Sequence, residues 1–407
     1  MISRNRRSLL TGSAATAAAA MLTPHAAFAQ ATPGVTATEL KIGTTTSLSG
    51  PVSALGTINK AHLAYFKMLN EQGGIAGRKI TYLITDDGFA PPKTLEMTRR
   101  LVEQDEVAFL FGQLGTGPNS AIVKYVNNAG VPHLFLSVNG DKWGDFKTYP
   151  WTMPFAPSSR IEVQVFIKHA LQTNPNAKIA ILYQNDDFGR DFITGAKEVL
   201  GAKYDATVKA LSYEVTDPTI NSQLIELKTW GADVLISGVT GKFGAMAIRS
   251  ISELGWKPQH FVPSGVSSIT ATINPAGPER ALGVITSVYT KDVNDPAWAD
   301  DAGIKGYKAF MAKWFPDGNP TDTYNAYGYM TAMVLHRLLE QCKGDFSRKS
   351  IMAQANNLKD MENPMLLPGI KINTSPTNHH PLRQLQLQRW AGKGWERFGP
   401  IIADAGA

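Results

Sequence analysis

Cysteine is almost absent from this chain, since Cys342 is the only one among 407 residues. A single thiol excludes an internal disulfide, and its apolar, helical surroundings predict a buried thiol rather than a nucleophile. Charged residues are sparse at 18%, and the lysines and arginines are scattered without a basic run. The electrostatic footprint of a protein that binds nucleic-acid backbones is therefore missing, and we expect no nucleic-acid partner.

The motifs of common enzyme chemistry are missing as well. There is no Gly-x-Ser-x-Gly elbow and no Walker lysine, and Gly112–Gly117 has the wrong glycine spacing for a dinucleotide loop. The adjacent pair His379 and His380 precedes a proline in an extended segment, so the two side chains point to opposite faces and do not suit a shared metal. We predict no catalytic residue, no metal and no cofactor, and interpret the chain as a non-enzyme.

The first thirty residues have the pattern of an export signal. Arg6 and Arg7 form a twin arginine, an apolar stretch without acidic residues follows, and small residues occupy both cleavage-recognition positions. Residues 9–22 are too few and too rich in Ala, Thr and Ser to span a bilayer stably. We predict that residues 1–29 are a leader of twin-arginine type, cleaved near Ala29, and that the mature protein is periplasmic. Paired arginines also occur in ordinary secretory leaders, so the export route stays open.

The mature chain alternates between strand and helix signals. Apolar strand-like runs at 40–45, 80–85, 107–111 and 133–136 are separated by segments with helical spacing. A second series from Arg160 to Val262 repeats this alternation, which predicts parallel βαβ units. A chain of this length usually divides into two domains. The sequence therefore predicts an α/β protein with two lobes.

Prolines between Tyr149 and Pro157 resist helix formation, so we interpret this segment as a crossover with a hinge near Met153. Residues 283–289 have the pattern of a strand that returns to the first lobe. The strict alternation of residues 385–390 predicts a half-buried strand in the tail. We expect lobe 1 to comprise residues 39–152 and 284–345, and lobe 2 to comprise residues 153–283 and 346–400.

Two loops carry a positive signal for ligand binding: Ser47–Gly56 after the first strand and Gly112–Asn119 after the third. Both lie at the carboxyl ends of predicted parallel strands, where open α/β sheets bind ligands. Free N–H groups at the start of the following helix favour an anion there.

These loops belong to a series of motifs spread from about Leu40 to the C-terminus. The others are Asn70–Arg78, Gly130–Pro132, Asp186–Arg190 and Glu253–Trp256. In order and spacing the series closely resembles the leucine-type extracellular solute-binding proteins of ABC transporters. The resemblance implies two Rossmann-like lobes with parallel sheets flanked by helices, joined by a three-segment hinge, which is the type I periplasmic-binding-protein fold. It also implies a ligand trapped in the interlobe cleft, a monomer, and an inner-membrane ABC permease as partner.

The resemblance further suggests which residues contact the ligand. In amino-acid-binding members, hydroxyls and backbone amides of the first lobe hold the carboxylate, and Thr116 (with Gly115 beside it), Ser137 and Asn139 match those positions. The positions whose side chains bind the ammonium group in those members are occupied by Phe188 and Phe243 in this sequence. Removing one partner of a buried charge pair costs on the order of 3 to 5 kcal/mol, so this departure disfavours an amino acid.

Leu55 and Phe155 would add apolar wall, and a carboxylate with an apolar or aromatic body suits such a cleft. We predict a binding protein for a small organic acid, aromatic or arylalkanoic. A branched-chain or other amino-acid binder, a ligand-sensing protein of a signalling system, and an enzyme on the same scaffold stay open as alternatives. Phenylalanines at helix starts also occur in lobe cores, and hydroxyls at strand ends also cap helices, so these residue roles stay open too.

Overall fold

Two β-sheets, one in each lobe, organise residues 32–403, which are the residues that the computed structural model describes; the predicted leader lies outside them. The first sheet contains β1 (Glu39–Thr46), β2 (Lys79–Asp86), β3 (Phe109–Phe111), β4 (His133–Leu136) and β5 (Thr152–Pro154). The second contains β6 (Ile179–Gln184), β7 (Val208–Tyr213), β8 (Val234–Gly238), β9 (Gln259–Phe261), β10 (Ile285–Val288), β11 (Gln384–Trp390) and β12 (Trp395–Ala403).

Helices separate most of the strands. They are α1 (Thr57–Glu71), α2 (Pro91–Arg99), α3 (Thr116–Asn128), α4 (Ser159–Thr173), α5 (Asp187–Leu200), α6 (Tyr204–Thr207), α7 (Asn221–Thr229), α8 (Lys242–Glu253), α9 (Asn274–Ala276), α10 (Ala302–Trp314), α11 (Thr323–Gln341) and α12 (Arg348–Ala355). Among the described residues, no helix is both long and apolar enough to cross a bilayer.

The first sheet is parallel throughout and has the order β2-β1-β3-β4-β5. Its apolar strands are buried on both faces, as the neighbouring residues Phe109 and Leu110 show, because helices cover the sheet. The strand order reverses between β1 and β3, so the loops after these two strands diverge and leave a crevice at their carboxyl ends. The two loops that the sequence singled out therefore border the crevice.

The second sheet has the order β12-β11-β10-β9-β8-β6-β7. The strands β6 to β10 run parallel, whereas the tail strands β11 and β12 form an antiparallel hairpin at one edge. The predicted α/β class with two helix-flanked lobes is confirmed. The sequence analysis did not predict β7 or β12, although the tail strand β11 has the expected bounds within one residue.

Two lobe boundaries differ from the expected ones. The strand β10 was expected in lobe 1, but it pairs with β9 and β11 in the second sheet. Residues 346–382 were expected in lobe 2, but Phe346, Leu358 and Leu382 are buried in the core of lobe 1. The chain therefore crosses between the lobes after Pro154, after β10 and just before β11.

Candidate functional site

A cavity of about 140 Å³ lies between the two lobes at the carboxyl ends of their parallel strands. None of the described residues that line it carries a charged side chain. The lobe 1 side comprises Leu55, Ile58, Phe89, Leu114, Gly115, Thr116, Ser137, Val138, Asn139, Ala156, Thr323, Tyr324 and Tyr327. The lobe 2 side and the second crossover contribute Gln184, Phe188, Val239, Thr240, Pro263, Ser264, Gly265, Ser267, Ser287, Val288, Tyr289 and Thr290.

Six of the eight residues proposed from the sequence line this cavity. They are Leu55, Gly115, Thr116, Ser137, Asn139 and Phe188. The other two lie in lobe cores and are fully buried. The Phe155 ring packs edge-on against Phe135, with ring centroids 5.5 Å apart, and the Phe243 ring lies 4.5 Å from that of Tyr213. Neither phenylalanine is among the residues that line the cavity.

The lobe 1 wall presents hydrogen-bond donors without a charge. The helix α3 begins at Thr116, directly after Gly115, and no side chain of the described residues caps its first turn. Gly115 has a φ of 87°, and a Cβ there would lie 2.2 Å from the Phe89 ring, so only glycine fits. An uncapped helix start exposes N–H groups and the positive end of the helix dipole, which together attract an anion.

Two hydroxyls on the same wall are buried and have no hydrogen-bond partner other than each other among the described residues: Ser137 Oγ and Tyr327 Oη. Burial raises the pKa of Tyr327, so its phenol stays protonated and can donate. The Asn139 side chain is already engaged, because its Nδ2 donates to the Pro157 carbonyl at 3.0 Å. Buried polar groups normally use all their donors, so this pair of hydroxyls, which has no other partner, indicates a place for a polar ligand group.

On the lobe 2 wall most polar groups are already paired. The Gln184 amide donates to Asp186 Oδ2 at 2.7 Å, and its oxygen accepts from Tyr213 at 3.1 Å and Thr240 at 2.5 Å. Asp186 also caps α5 by accepting from Gly189 N at 3.1 Å. These polar groups are therefore engaged within the wall, and Phe188 and Val239 provide its apolar contacts.

The sequence analysis missed several residues that line the cavity. Tyr324 and Tyr327 lie one turn apart at the start of α11, directly after the N-cap Asp322. Two tyrosines at this spacing after an acidic N-cap can indicate a ligand-binding surface. The sequence alone does not show that the start of this helix faces the cleft, so the signal could not be used without the structure. Tyr289 follows β10, which the sequence analysis had placed in the other lobe.

Hydrogen bonds and an ion pair join the lobes around the cavity, so this is a closed arrangement. Lys142 of lobe 1 pairs with Asp187 at the start of α5. The backbone N–H of Asp141 donates to Asp191 Oδ2 at 2.6 Å, and the Tyr324 hydroxyl donates to the Gly265 carbonyl at 2.9 Å. We call these three contacts the interlobe latch.

We expect Asp191→Asn to stabilise the protein at alkaline pH. Burial, followed by repulsion from Asp141 and Asp187, raises the pKa of Asp191 from 3.8 to about 7. A carboxyl whose pKa is raised by folding costs stability as pH increases from its unfolded pKa through its folded pKa. The variant should therefore exceed the wild type by on the order of 2 kcal/mol at pH 8 and match it below pH 4. Urea unfolding between these pH values measures the difference, and the exposed Asp205→Asn is the control; a pH-independent difference would contradict the prediction.

Within residues 32–403 no group of three or more His, Cys, Asp or Glu side chains could hold a metal. Cys342 is buried, and burial raises its pKa to about 11, which keeps the thiol protonated and unreactive.

Two α/β lobes that enclose a cavity at the carboxyl ends of both sheets define a two-lobed solute-binding protein of type I architecture. The chain belongs to the periplasmic binding protein family, whose model matches residues 39–394. The family places the protein outside the cytoplasm, as the non-enzymatic solute-binding component of an ABC transporter.

The chain is similar to the Leu/Ile/Val-binding protein homolog 7 of Brucella abortus (strain 2308), with 24% identity over 86% of this chain and 89% of that protein. A branched chain amino acid ABC transporter structure from Thermus thermophilus with bound valine has a TM-score of 0.80 at 15% identity, covering 90% of this chain and 97% of that one. The fatty acid ABC transporter substrate-binding protein from Thermomonospora curvata has a TM-score of 0.76 at 18% identity, covering 92% and 94%. The structural likenesses show the fold alone.

Proposed function

We propose that this protein captures a small organic carboxylate with an aromatic or arylalkanoic body in the interlobe cavity and delivers it, as a monomer, to an ABC importer. The observation that carries the proposal is the distribution of polarity around the cavity. One wall offers uncharged donors, most polar groups of the opposite wall are already engaged in hydrogen bonds, and no described lining residue is charged.

The donor wall suits a carboxylate. The uncapped start of α3 supplies N–H groups and a positive dipole end, and Thr116, Ser137 and Tyr327 add hydroxyls around it. Hydrogen bonds that engage an ionised acceptor contribute about 1.5 to 3 kcal/mol each, so a few of them anchor an anion without a lysine or arginine.

The remaining surface suits an apolar ring. A buried cavity of roughly 150 Å³ is known to hold benzene, and the volume here is about 140 Å³. Phe188, Phe89 and Val239 provide aromatic and aliphatic contacts to such a body. The size favours a ring or a short branched chain over a long fatty-acid tail in this closed arrangement.

A branched-chain amino acid is the second candidate, because the Brucella relative is named a Leu/Ile/Val-binding protein homolog and the Thermus thermophilus structure contains valine. Its ammonium group would be buried in a cavity whose described lining residues include no carboxylate. An unpaired buried charge costs several kcal/mol, so the amino acid is the weaker candidate.

A thermal-shift panel on the mature protein, stripped of carried-over ligand by unfolding and refolding, tests the proposal. The panel compares aromatic carboxylates, aliphatic acids, dicarboxylates and amino acids. Ligand at one hundred times its dissociation constant adds roughly 2.7 kcal/mol, which gives a readable shift. We expect the largest shifts from aromatic carboxylates; a response confined to leucine, isoleucine or valine would overturn the proposal.

Thr116→Ala tests where the carboxylate lies. Losing a hydrogen bond to an ionised group costs about 1.5 to 3 kcal/mol, so the Kd for the best carboxylate of the panel should rise tenfold or more. Titration calorimetry measures the change. The exposed Thr194→Ala, outside the cavity, should bind as the wild type does. An unchanged Kd in Thr116→Ala would show that the carboxylate does not lie at the start of α3.

A further inference from the structure

A buried carboxyl group lies directly behind the lobe 2 wall of the cavity. Glu162, in the first turn of α4, is completely shielded from solvent. Its Oε1 accepts two hydrogen bonds, one from Ser264 N at 3.0 Å and one from the Ser287 hydroxyl. Both serines line the cavity, whereas Glu162 itself does not. Its Oε2 has no hydrogen-bond partner among the described residues.

The surroundings of Glu162 favour its uncharged form. Its contacts supply an N–H and an O–H but no cation, and an unpaired carboxylate is costly to bury. Burial raises the pKa of Glu162. Tyr289 interacts electrostatically with Glu162 and adds no positive charge, because burial raises the pKa of its phenol and keeps it protonated. Glu162 therefore places a carboxyl oxygen behind the wall as a hydrogen-bond acceptor.

The contact with Glu162 determines what Ser287 can offer to a ligand. A serine hydroxyl has one proton and two acceptor lone pairs. Because Ser287 donates its proton to Glu162, the hydroxyl can only accept a hydrogen bond from the cavity. The lobe 1 wall has the opposite character, since the Ser137 and Tyr327 hydroxyls have no partner other than each other, and at least one of their protons is left to donate.

We propose that Glu162 positions Ser287 as a hydrogen-bond acceptor for a hydroxyl group on the apolar body of the ligand. The preferred ligands are then carboxylates that carry a ring or chain hydroxyl, rather than plain aromatic acids. This inference rests on the proposed function and narrows its substrate class. Glu162 is a positioning residue, because it acts through Ser287.

Ser267 is the matched control for Ser287. It also lines the lobe 2 side of the cavity, and it donates its proton to the Ser264 carbonyl at 2.8 Å. It makes no hydrogen bond to Glu162 among the described residues. The two serines therefore differ in their link to the buried carboxyl, and separate alanine variants distinguish their roles.

The test uses matched probe pairs: benzoate, phenylacetate and phenylpropanoate, each compared with its meta- and para-hydroxylated form, and isocaproate compared with leucine. Calorimetric Kd values are measured for the wild-type protein and for Ser287→Ala, Ser267→Ala, Glu162→Gln and Glu162→Met. A neutral hydrogen bond predicts about a tenfold preference of the wild type for at least one hydroxylated form.

Ser287→Ala should lose this preference while its Kd for the unhydroxylated partner changes by less than about threefold. Ser267→Ala should keep it. Glu162→Gln should keep it, because the amide oxygen still accepts from Ser287, whereas Glu162→Met should lose it. A general structural defect would weaken both members of a pair equally and would leave their ratio unchanged.

Three results would overturn the inference: no hydroxyl preference in the wild type, a preference that survives Ser287→Ala, or loss of the preference in Glu162→Gln. If the wild type shows no hydroxyl preference but still binds plain aromatic acids, this inference fails and the proposed function remains supported. Binding of leucine without any response to isocaproate or the aromatic acids would overturn both, because the wall would then accept an ammonium group.

Discussion

Replacing Phe243 with glutamate should destabilise the second lobe by at least about 4 kcal/mol and should not create an ammonium site in the cleft. The Phe243 ring is completely buried and lies 4.5 Å from the Tyr213 ring, within a core cluster of lobe 2. A glutamate there would remove the ring contacts and would bury a carboxylate without a partner. The effect should therefore be on folding before it is on binding.

Urea unfolding followed by tryptophan fluorescence measures this loss, because Trp390 and Trp395 are buried in the same cluster. Phe243→Leu is the matched control and should cost no more than about 1.5 kcal/mol, since it keeps an apolar side chain. Phe188→Leu should change the Kd for aromatic carboxylates more than it changes stability, because Phe188 lines the cavity. Wild-type stability in Phe243→Glu would show that the ring lies outside the core.

Ser137→Asp should abolish the capture of carboxylates. The Ser137 hydroxyl lines the donor wall beside the start of α3, where we propose that the ligand carboxylate lies. Two negative charges about 4 Å apart repel by about 4 kcal/mol at the effective dielectric near a protein surface, which is roughly a thousandfold in Kd. The new carboxylate would also occupy the helix start that otherwise attracts the ligand.

Ser137→Asn separates charge from size. The amide has nearly the same shape as the aspartate side chain and no charge, so its Kd for the best carboxylate of the panel should rise by no more than about thirtyfold. Calorimetry on both variants, with thermal unfolding as a check on folding, measures the contrast. Equal losses in the two variants would indicate a steric effect and would remove the argument for an anion beside Ser137.

Much of the architecture could be predicted because each lobe repeats the same local pattern, a buried strand followed by an amphipathic helix. Buried parallel strands are short apolar runs, and the helices between them have a periodic apolar face, so the alternation is visible without a structure. The third crossover could not be placed in this way. Residues 356–383 contain no helix or strand, and nothing in their pattern tells that Leu358 and Leu382 pack into lobe 1 rather than lobe 2.

The residues of the candidate site also differ in how well the sequence could place them. Ser137 directly follows β4, and Thr116 begins the helix that follows β3 after a short loop. The topology therefore brings both residues to the crevice, whatever their side chains are. Phe243 is different, because a residue in the first turn of a helix can face either the cleft or the core. Ala247 and Ile251 follow Phe243 at intervals of four and are buried with it, a spacing that indicates the core-facing side of α8.

The interlobe latch also limits how fast a captured molecule can leave. Because residues of both lobes surround the cavity, a molecule inside can dissociate only after the contacts between Lys142 and Asp187, Asp141 and Asp191, and Tyr324 and Gly265 have broken. The rate of opening is then an upper limit on the dissociation rate, and differences in affinity among solutes are expressed chiefly as differences in residence time. A membrane partner that separates the lobes would speed the release of the bound solute. It would shorten the residence time without contacting the residues that line the cavity.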